Sequence, residues 1–493
     1  MKSILFFCLT LISAGSALPL ELGSPFSENM VLQRQSEIPV WGWGKPASEV
    51  RVTIADKKAA ATVAEDGSWK LKLDAIPAGG PYQFQVTSDS ETITCKNVLV
   101  GDVWICSGQS NMQMPYAKMA GSKQILANRK GRPIRCMEVK RTVSLAPSQR
   151  CQGQWSSRPV PSAVALAFSY HLQKDLDIPV GIILTCWGSS WLEGWMPKDM
   201  TEELPHFDQM MRDFEKNDRQ KVESLIKKAE SGKRAGKGQK WSRENEIYLR
   251  TRPNIVYNAM LHPLAPYAVR GIVWYQGESN ARSIEDMMQY RQSLQKWCQR
   301  MRALWQHDDL HLLVVMLPKF KVVRNGKSIK DPTAHSWAWI RESQMKILDL
   351  PHTSIVNTID LGNPNNIHPP DKAPIGQRLA LLAQRDALGK TLLAQGPKMK
   401  SVTIHSDEIV IAYENAEGLA TTDGEAVRGF WVAGKSRQWK AATGQIKGET
   451  VVLSCGDTTP EVVRYAFCAV PNVNLINAAK LPALPFRTDT DKP

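Results

Sequence analysis

Between Val98 and about Gly389 the chain alternates short apolar runs with helix-like stretches, and several of the runs end in a glycine-bearing polar loop. The run Val98–Ile105 leads into Gly108-Gln109-Ser110-Asn111-Met112. Gly181–Thr185 leads into Trp187-Gly188-Ser189-Ser190-Trp191-Leu192-Glu193, and Gly271–Val273 into Trp274-Tyr275-Gln276-Gly277-Glu278-Ser279-Asn280-Ala281. Runs this short, apolar on both faces and spaced by helical segments, form a parallel sheet covered by helices. Such a sheet binds ligands at the carboxyl ends of its strands, where these loops fall.

Ser110 therefore sits where an open α/β sheet would present a reactive group. A serine hydroxyl is a poor nucleophile until a base takes its proton. His368, in the loop Asn366-Ile367-His368-Pro369-Pro370 ahead of a helix-like stretch, is the candidate base. Taken singly, a serine after a strand is a helix cap and a loop histidine is an ordinary imidazole. The order of four loop blocks, carrying Ser, Gly, Gln/Glu and His in turn, is what favours chemistry. Met112 occupies the second glycine position of a G-x-S-x-G elbow, which argues against an ordinary α/β-hydrolase. Glu193 and Glu278 do not form a glycosidase pair that would account for Ser110 and His368.

The blocks Gly108–Pro115, Ile272–Ala281 and Asn366–Ala380, together with the tail Val463–Asp489, resemble the sialate O-acetylesterase family of SGNH-type hydrolases. The resemblance covers nearly the whole chain after the first residues. It implies an α/β fold, with a flavodoxin-like three-layer SGNH domain and flanking β-sandwich-like domains. It also implies a serine esterase that removes O-acetyl groups from sialic acid or related glycans. An esterase of acetylated xylan or another polysaccharide, and a silent relative that only binds glycan, stand as alternatives.

Carried over by analogy, Ser110 and Gly188 supply backbone oxyanion donors and Gln276 a side-chain donor. Asn111 is an alternative amide donor or a turn stabiliser. Family members carry aspartate two residues before the histidine, where this chain has Asn366. Asparagine lacks the charge that stabilises an imidazolium. Asn366 can still partner His368 through its side-chain carbonyl, but Glu278 is the expected partner, with Asp360 and Asp371 as weaker substitutes. The other outcomes are a Ser–His dyad oriented by a backbone carbonyl, and a weak or dead enzyme. Glu193 and Arg341 match recurring positions and are read as packing or salt-bridge residues.

The 493 residues suggest two or three domains. Met1-Lys2-Ser3, the apolar stretch Ile4–Ile12 and Gly15-Ser16-Ala17 read as a signal peptide cleaved after Ala17, which implies a secreted or periplasmic protein. No other run suits a transmembrane anchor. Of the eight remaining cysteines, Cys136 and Cys151 are the first pair to consider for a disulfide, whereas Cys106 and Cys186 read as buried thiols. No Cys/His spacing suggests a metal, and serine esterase chemistry needs no cofactor. The net charge of +14 is concentrated around Lys227, Lys228, Lys233, Arg234, Lys237 and Lys240. With no recognition fold for nucleic acid, an anionic glycan is the better match to that charge. Oligomeric state leaves no signal.

The resulting division is 1–17 signal peptide, 18–97 N-terminal β domain, 98–395 esterase domain with a charged insertion at 201–252, and 396–493 C-terminal β region. In the N-terminal part Asp66-Gly67 reads as a hairpin turn, and Trp41 and Trp43 as core or interface aromatics.

Overall fold

A computed structural model describes residues 18–89, 91–234, 241–405, 408–455 and 459–493. The signal-peptide segment, and Lys237 and Lys240 of the charged insertion, lie outside the described residues. The fold is mixed α/β. Its centre is a parallel sheet of β1 (Glu91–Gly108), β2 (Ile134–Glu138), β3 (Val180–Cys186), β4 (Gly271–Tyr275), β5 (His311–Val315) and β6 (Thr353–Val356). Across the sheet the order is β2-β3-β1-β4-β5-β6. Leaving aside β2, whose outer side pairs antiparallel with Trp155–Ser156, the remaining five read 2-1-3-4-5 in order of appearance. The order reverses beside β1, which opens a crevice at the carboxyl ends of β1 and its neighbours.

Four helices carry the layers over this sheet: α1 (Ala163–Leu176), α2 (Ile284–Trp305), α3 (Trp337–Met345) and α4 (Ala373–Leu382). Trp104 of β1 lies opposite Gly271 of β4, and Trp274 stands three residues further along β4. Side chains alternate along a strand, so the two indoles project from opposite faces. Trp104 packs edge-on against Phe168 of α1, and Trp274 against Trp297 of α2, with centroids 5.4 and 4.4 Å apart. Helices therefore cover both faces. Ser162 caps α1 by accepting from the Ala165 N–H, and Ser283 caps α2 by accepting from the Asp286 N–H. Gly376 lets α4 cross α1 closely, since a Cβ there would lie 2.5 Å from the Phe168 nitrogen.

β1 does double duty. Its first half pairs antiparallel with Gly79–Ser88 and parallel with Val31–Gln33, and its second half enters the central sheet. Asp102, wholly buried at this changeover, accepts from Arg34 Nε at 3.0 Å and Arg270 Nη2 at 3.2 Å. Trp69 is buried, whereas Trp41 is half-buried and meets Phe26 edge-on.

Two sequence expectations change here. The strands flanking Asp66-Gly67 do not pair with each other: Lys57–Thr62 pairs with Glu49–Ile54, and Ser68–Leu73 with Ile38–Trp43. The turn passes the chain from one sheet to another, a distinction that alternation cannot register. Cys136 and Cys151 are both free thiols. Cys136 lies on β2, buried beside Cys106 and Cys186, rather than in a loop facing Cys151.

The C-terminal region forms a seven-stranded antiparallel sheet that begins at Lys398–Ile404 and closes on Phe486–Arg487. It is bonded to the α/β part through buried groups. Asn357 Nδ2 donates to the carbonyls of Pro482 and Ala483, each at 2.9 Å, and Arg341 donates to the carbonyl of Cys468.

Candidate functional site

The polypeptide leaves β1 through Gly108, whose φ of +132° is open to glycine and strained for other residues. A Cβ at Gly108 would lie 2.1 Å from the Tyr275 carbonyl oxygen, so close pairing of β1 with β4 also requires the glycine. Ser110 then opens the short helix Ser110–Gln113. As the first helical residue it has no intrahelical acceptor for its N–H.

Asn111 organises the site. Its Oδ1 accepts from Lys372 Nζ at 2.7 Å, and its Nδ2 donates to Glu278 Oε1 and, at 3.0 Å, to the Ile367 carbonyl. The amide orientation follows from its partners, because lysine only donates while the carbonyl and an ionised carboxylate accept. One buried side chain thus ties the neighbour of Ser110 to the neighbour of His368 and to the end of β4. Both amide protons are taken, which corrects Asn111 as an oxyanion donor and leaves the turn-stabilising role.

Glu278 is part-buried with its Oε2 enclosed, and desolvation raises its carboxyl above the ordinary glutamate range against the opposing pull of Asn111 and Lys372. Its hydrogen bond goes to Asn111, so the structure corrects Glu278 as the partner of the His368 imidazole. Its other oxygen, Oε2, is buried without a hydrogen-bond partner among the described residues. Asn366 is corrected as well. Its Oδ1 accepts from the backbone N–H of His368 at 2.9 Å, an Asx turn, instead of the ring. Asp360 binds Arg378 at 2.6 Å and is committed there.

The His368 imidazole has no hydrogen bond among the described residues, to Ser110 or to any carboxylate. Its partial burial, followed by the charges of Lys372 and Lys118, lowers its pKa below the usual 6.5. At neutral pH the ring is therefore unprotonated, the form a general base requires.

Gly188 comes close to Ser110, since a Cβ on it would lie 3.4 Å from the Ser110 Cβ. Its N–H donates to Gln113 Oε1 at 2.6 Å, so a substrate oxygen reaches that donor only after Gln113 swings aside. Gln276 is corrected outright. Wholly buried, it donates through Nε2 to Asn280 Oδ1 at 2.6 Å, Gln109 Oε1 and the Ser190 carbonyl, and accepts from Tyr290 at 2.8 Å. It cross-links the loops and has no donor left for an oxyanion. Glu193 holds Arg282 at 2.9 Å and Asn280 at 2.8 Å, in keeping with its salt-bridge reading.

Sequence reasoning passed over Lys372, Gln113, Asn280 and Tyr290. Lys372 stands in the quoted histidine block but reads there as a solvated lysine before a helix. Nothing local announces that it is wholly buried, with its ammonium 5.3 Å from the Tyr275 ring centroid. Trp241, within the charged insertion, stacks on Trp187 with centroids 6.2 Å apart, so this part of the insertion rests on the Gly188 loop. Among the described residues no group of three or more His, Cys, Asp or Glu is placed to hold a metal, and no helix is long and apolar enough to cross a membrane.

A family model described as carbohydrate esterase, sialic acid-specific acetylesterase, matches residues 206–384. Sialate O-acetylesterase of Mus musculus is 25% identical, over 98% of this chain and 97% of its own length. The Homo sapiens sialate O-acetylesterase is also 25% identical, over 94% of this chain and 91% of its own. A crystal structure of a carbohydrate acetylesterase from Xanthomonas citri superposes with a TM-score of 0.81 at 32% identity, covering 96% of this chain and all of that one.

Proposed function

Because this chain belongs to the sialate O-acetylesterase family of carbohydrate esterases and is a carboxylic ester hydrolase, we propose that it removes O-acetyl groups from sialic acid or a related acetylated glycan by a Ser110–His368 mechanism. The observation that carries this reading is the Asn111 bridge, which holds the Ser110 turn and the Ile367-His368 segment at one sheet edge. The strand order 2-1-3-4-5 with helices on both faces supports a flavodoxin-like SGNH core.

In the proposed reaction Ser110 Oγ attacks the acetyl carbonyl carbon while His368 takes the hydroxyl proton. The backbone N–H of Ser110 and, once Gln113 moves, that of Gly188 receive the developing oxyanion. Collapse breaks the bond to the sugar oxygen, and His368 returns the proton to that leaving group. Water, deprotonated by His368, then attacks the acetyl-serine; the bond to Ser110 Oγ breaks, His368 returns the proton to that oxygen, and acetate leaves. The imidazole closes on Ser110 when substrate arrives, as catalytic hydrogen bonds commonly tighten in the complex. Residues 1–17 act as an export signal in this scheme, and the mature protein starts at Leu18 outside the cytoplasm.

Acetate release from a panel of O-acetylated sialic acids, xylans and other glycans tests the proposal. Turnover is expected on at least one member, with Ser110→Ala reducing it at least about a thousandfold. Turnover that survives Ser110→Ala would sink the mechanism.

A further inference from the structure

Lys372 is wholly buried, an expensive place for an ammonium unless its surroundings use the charge. Its Nζ bonds Asn111 Oδ1 at 2.7 Å and lies 5.3 Å from the Tyr275 ring centroid. Across the same amide stands Glu278, whose Oε2 has no hydrogen-bond partner among the described residues. Asn111 is the residue after Ser110, and Ile367, which receives its other bond, is the residue before His368. A side chain that merely filled space here would be apolar.

We propose that Lys372 is a positioning residue for the ester hydrolysis, its ammonium fixing the Ser110 turn and the Ile367-His368 segment through Asn111. This rests on the Ser110–His368 reading. The groups that act on His368 are Lys372 and Lys118, both cationic, and those that act on Lys372 are Glu278 and Asp371. Both cations disfavour a third positive charge on the imidazole. Burial draws the ammonium down to about 8, against the pull of Glu278 and Asp371, so Lys372 itself loses its charge at moderately alkaline pH. Once neutral it gives Asn111 a weaker bond and no longer balances the charge of Glu278. Turnover then falls on the alkaline side although His368 is already a base.

The test compares wild type, Lys372→Met, Lys372→Arg and Ser110→Ala on an O-acetylated sugar, measuring kcat and KM from pH 5 to 10. Thermal melts report folding. Lys372→Met is expected to lose roughly ten- to a hundredfold in kcat with KM nearly unchanged. Its acid limb moves to higher pH by about half a unit or more, because a cation beside the imidazole is gone. Lys372→Arg, permanently charged, recovers most of the turnover and lacks the alkaline limb near 8. A folded Lys372→Met with wild-type kcat and pH profile, while Ser110→Ala is dead, overturns the role of Lys372 alone. Activity in Ser110→Ala overturns the underlying mechanism instead. If neither lysine variant folds, the wild-type profile decides: kcat that stays flat from pH 7 to 10 refutes the proposal, and a fall near pH 8 supports it.

Discussion

At the residue scale, the unusual position is Asn366. The carbonyl of its side chain caps its own turn by accepting from the His368 N–H, a bond an aspartate can also make. His368 otherwise faces Lys372 and Lys118. Its pKa is below 6.5, so the acid limb of wild-type kcat/KM is expected below that value: activity disappears as pH falls through the lowered pKa and the base becomes protonated. Asn366→Asp would keep the turn and add a negative charge near the ring. It should raise kcat by about two- to tenfold by stabilising the imidazolium, and move the acid limb up towards 6.5. A pH–rate profile identical to wild type would show that this position does not reach the imidazole. The candidate residues Ser110, His368 and Gly188 stood out in the sequence because each sits in a glycine- or proline-marked loop after an apolar run. Gln276 and Glu278 were legible as a block but not in role, since hydrogen bonds to Asn280, Tyr290 and Asn111 decide what they do.

At the element scale, β1 is both the first strand of the site-bearing sheet and the strand that joins the N-terminal β region to it. Asp102 stands at the join. It accepts from Gln33, Arg34 and Arg270, while Gln33 Oε1 accepts from the Val103 N–H at 2.9 Å. Removing one partner of a buried ionic network leaves the others uncompensated, which costs about 3–5 kcal/mol. Asp102→Ala should therefore lower the midpoint of urea unfolding sharply. A midpoint within experimental error of wild type would mean that the two arginines find other acceptors or water. The strands were readable from apolar runs and α2 from its three- and four-residue spacing, because those signals are local. Asp66-Gly67 misled, since a turn signal does not say which strands it joins.

For the whole molecule, the buried seams predict that the α/β and C-terminal parts unfold together. Arg464 pairs with Asp489 at 2.7 Å, Arg487 bridges Asp489 and Glu342, and Arg341 and Asn357 donate to carbonyls of the C-terminal region. Calorimetry of the mature chain should show one unfolding transition spanning both parts; two resolved transitions would contradict this. Burial pulls the Asp489 carboxyl up, but the bonds and charges of Arg464 and Arg487 win and leave it below 3.8. Its contribution to stability is therefore complete above about pH 4 and is lost as pH drops through the lowered value.

By itself the sequence determined the parallel α/β centre, the β regions on either side and the loops that meet at its carboxyl edge. Periodicity and turn chemistry act over a few residues, and the order of the blocks carried the family resemblance. Tertiary structure alone decided which polar groups meet. Asn111 lies 256 residues from Ile367 and 261 from Lys372, and no local pattern fixes contacts at such separations. A buried amide must nevertheless satisfy all its hydrogen bonds, and the fold meets that demand by bringing a lysine, a glutamate and a histidine loop together around the Ser110 turn.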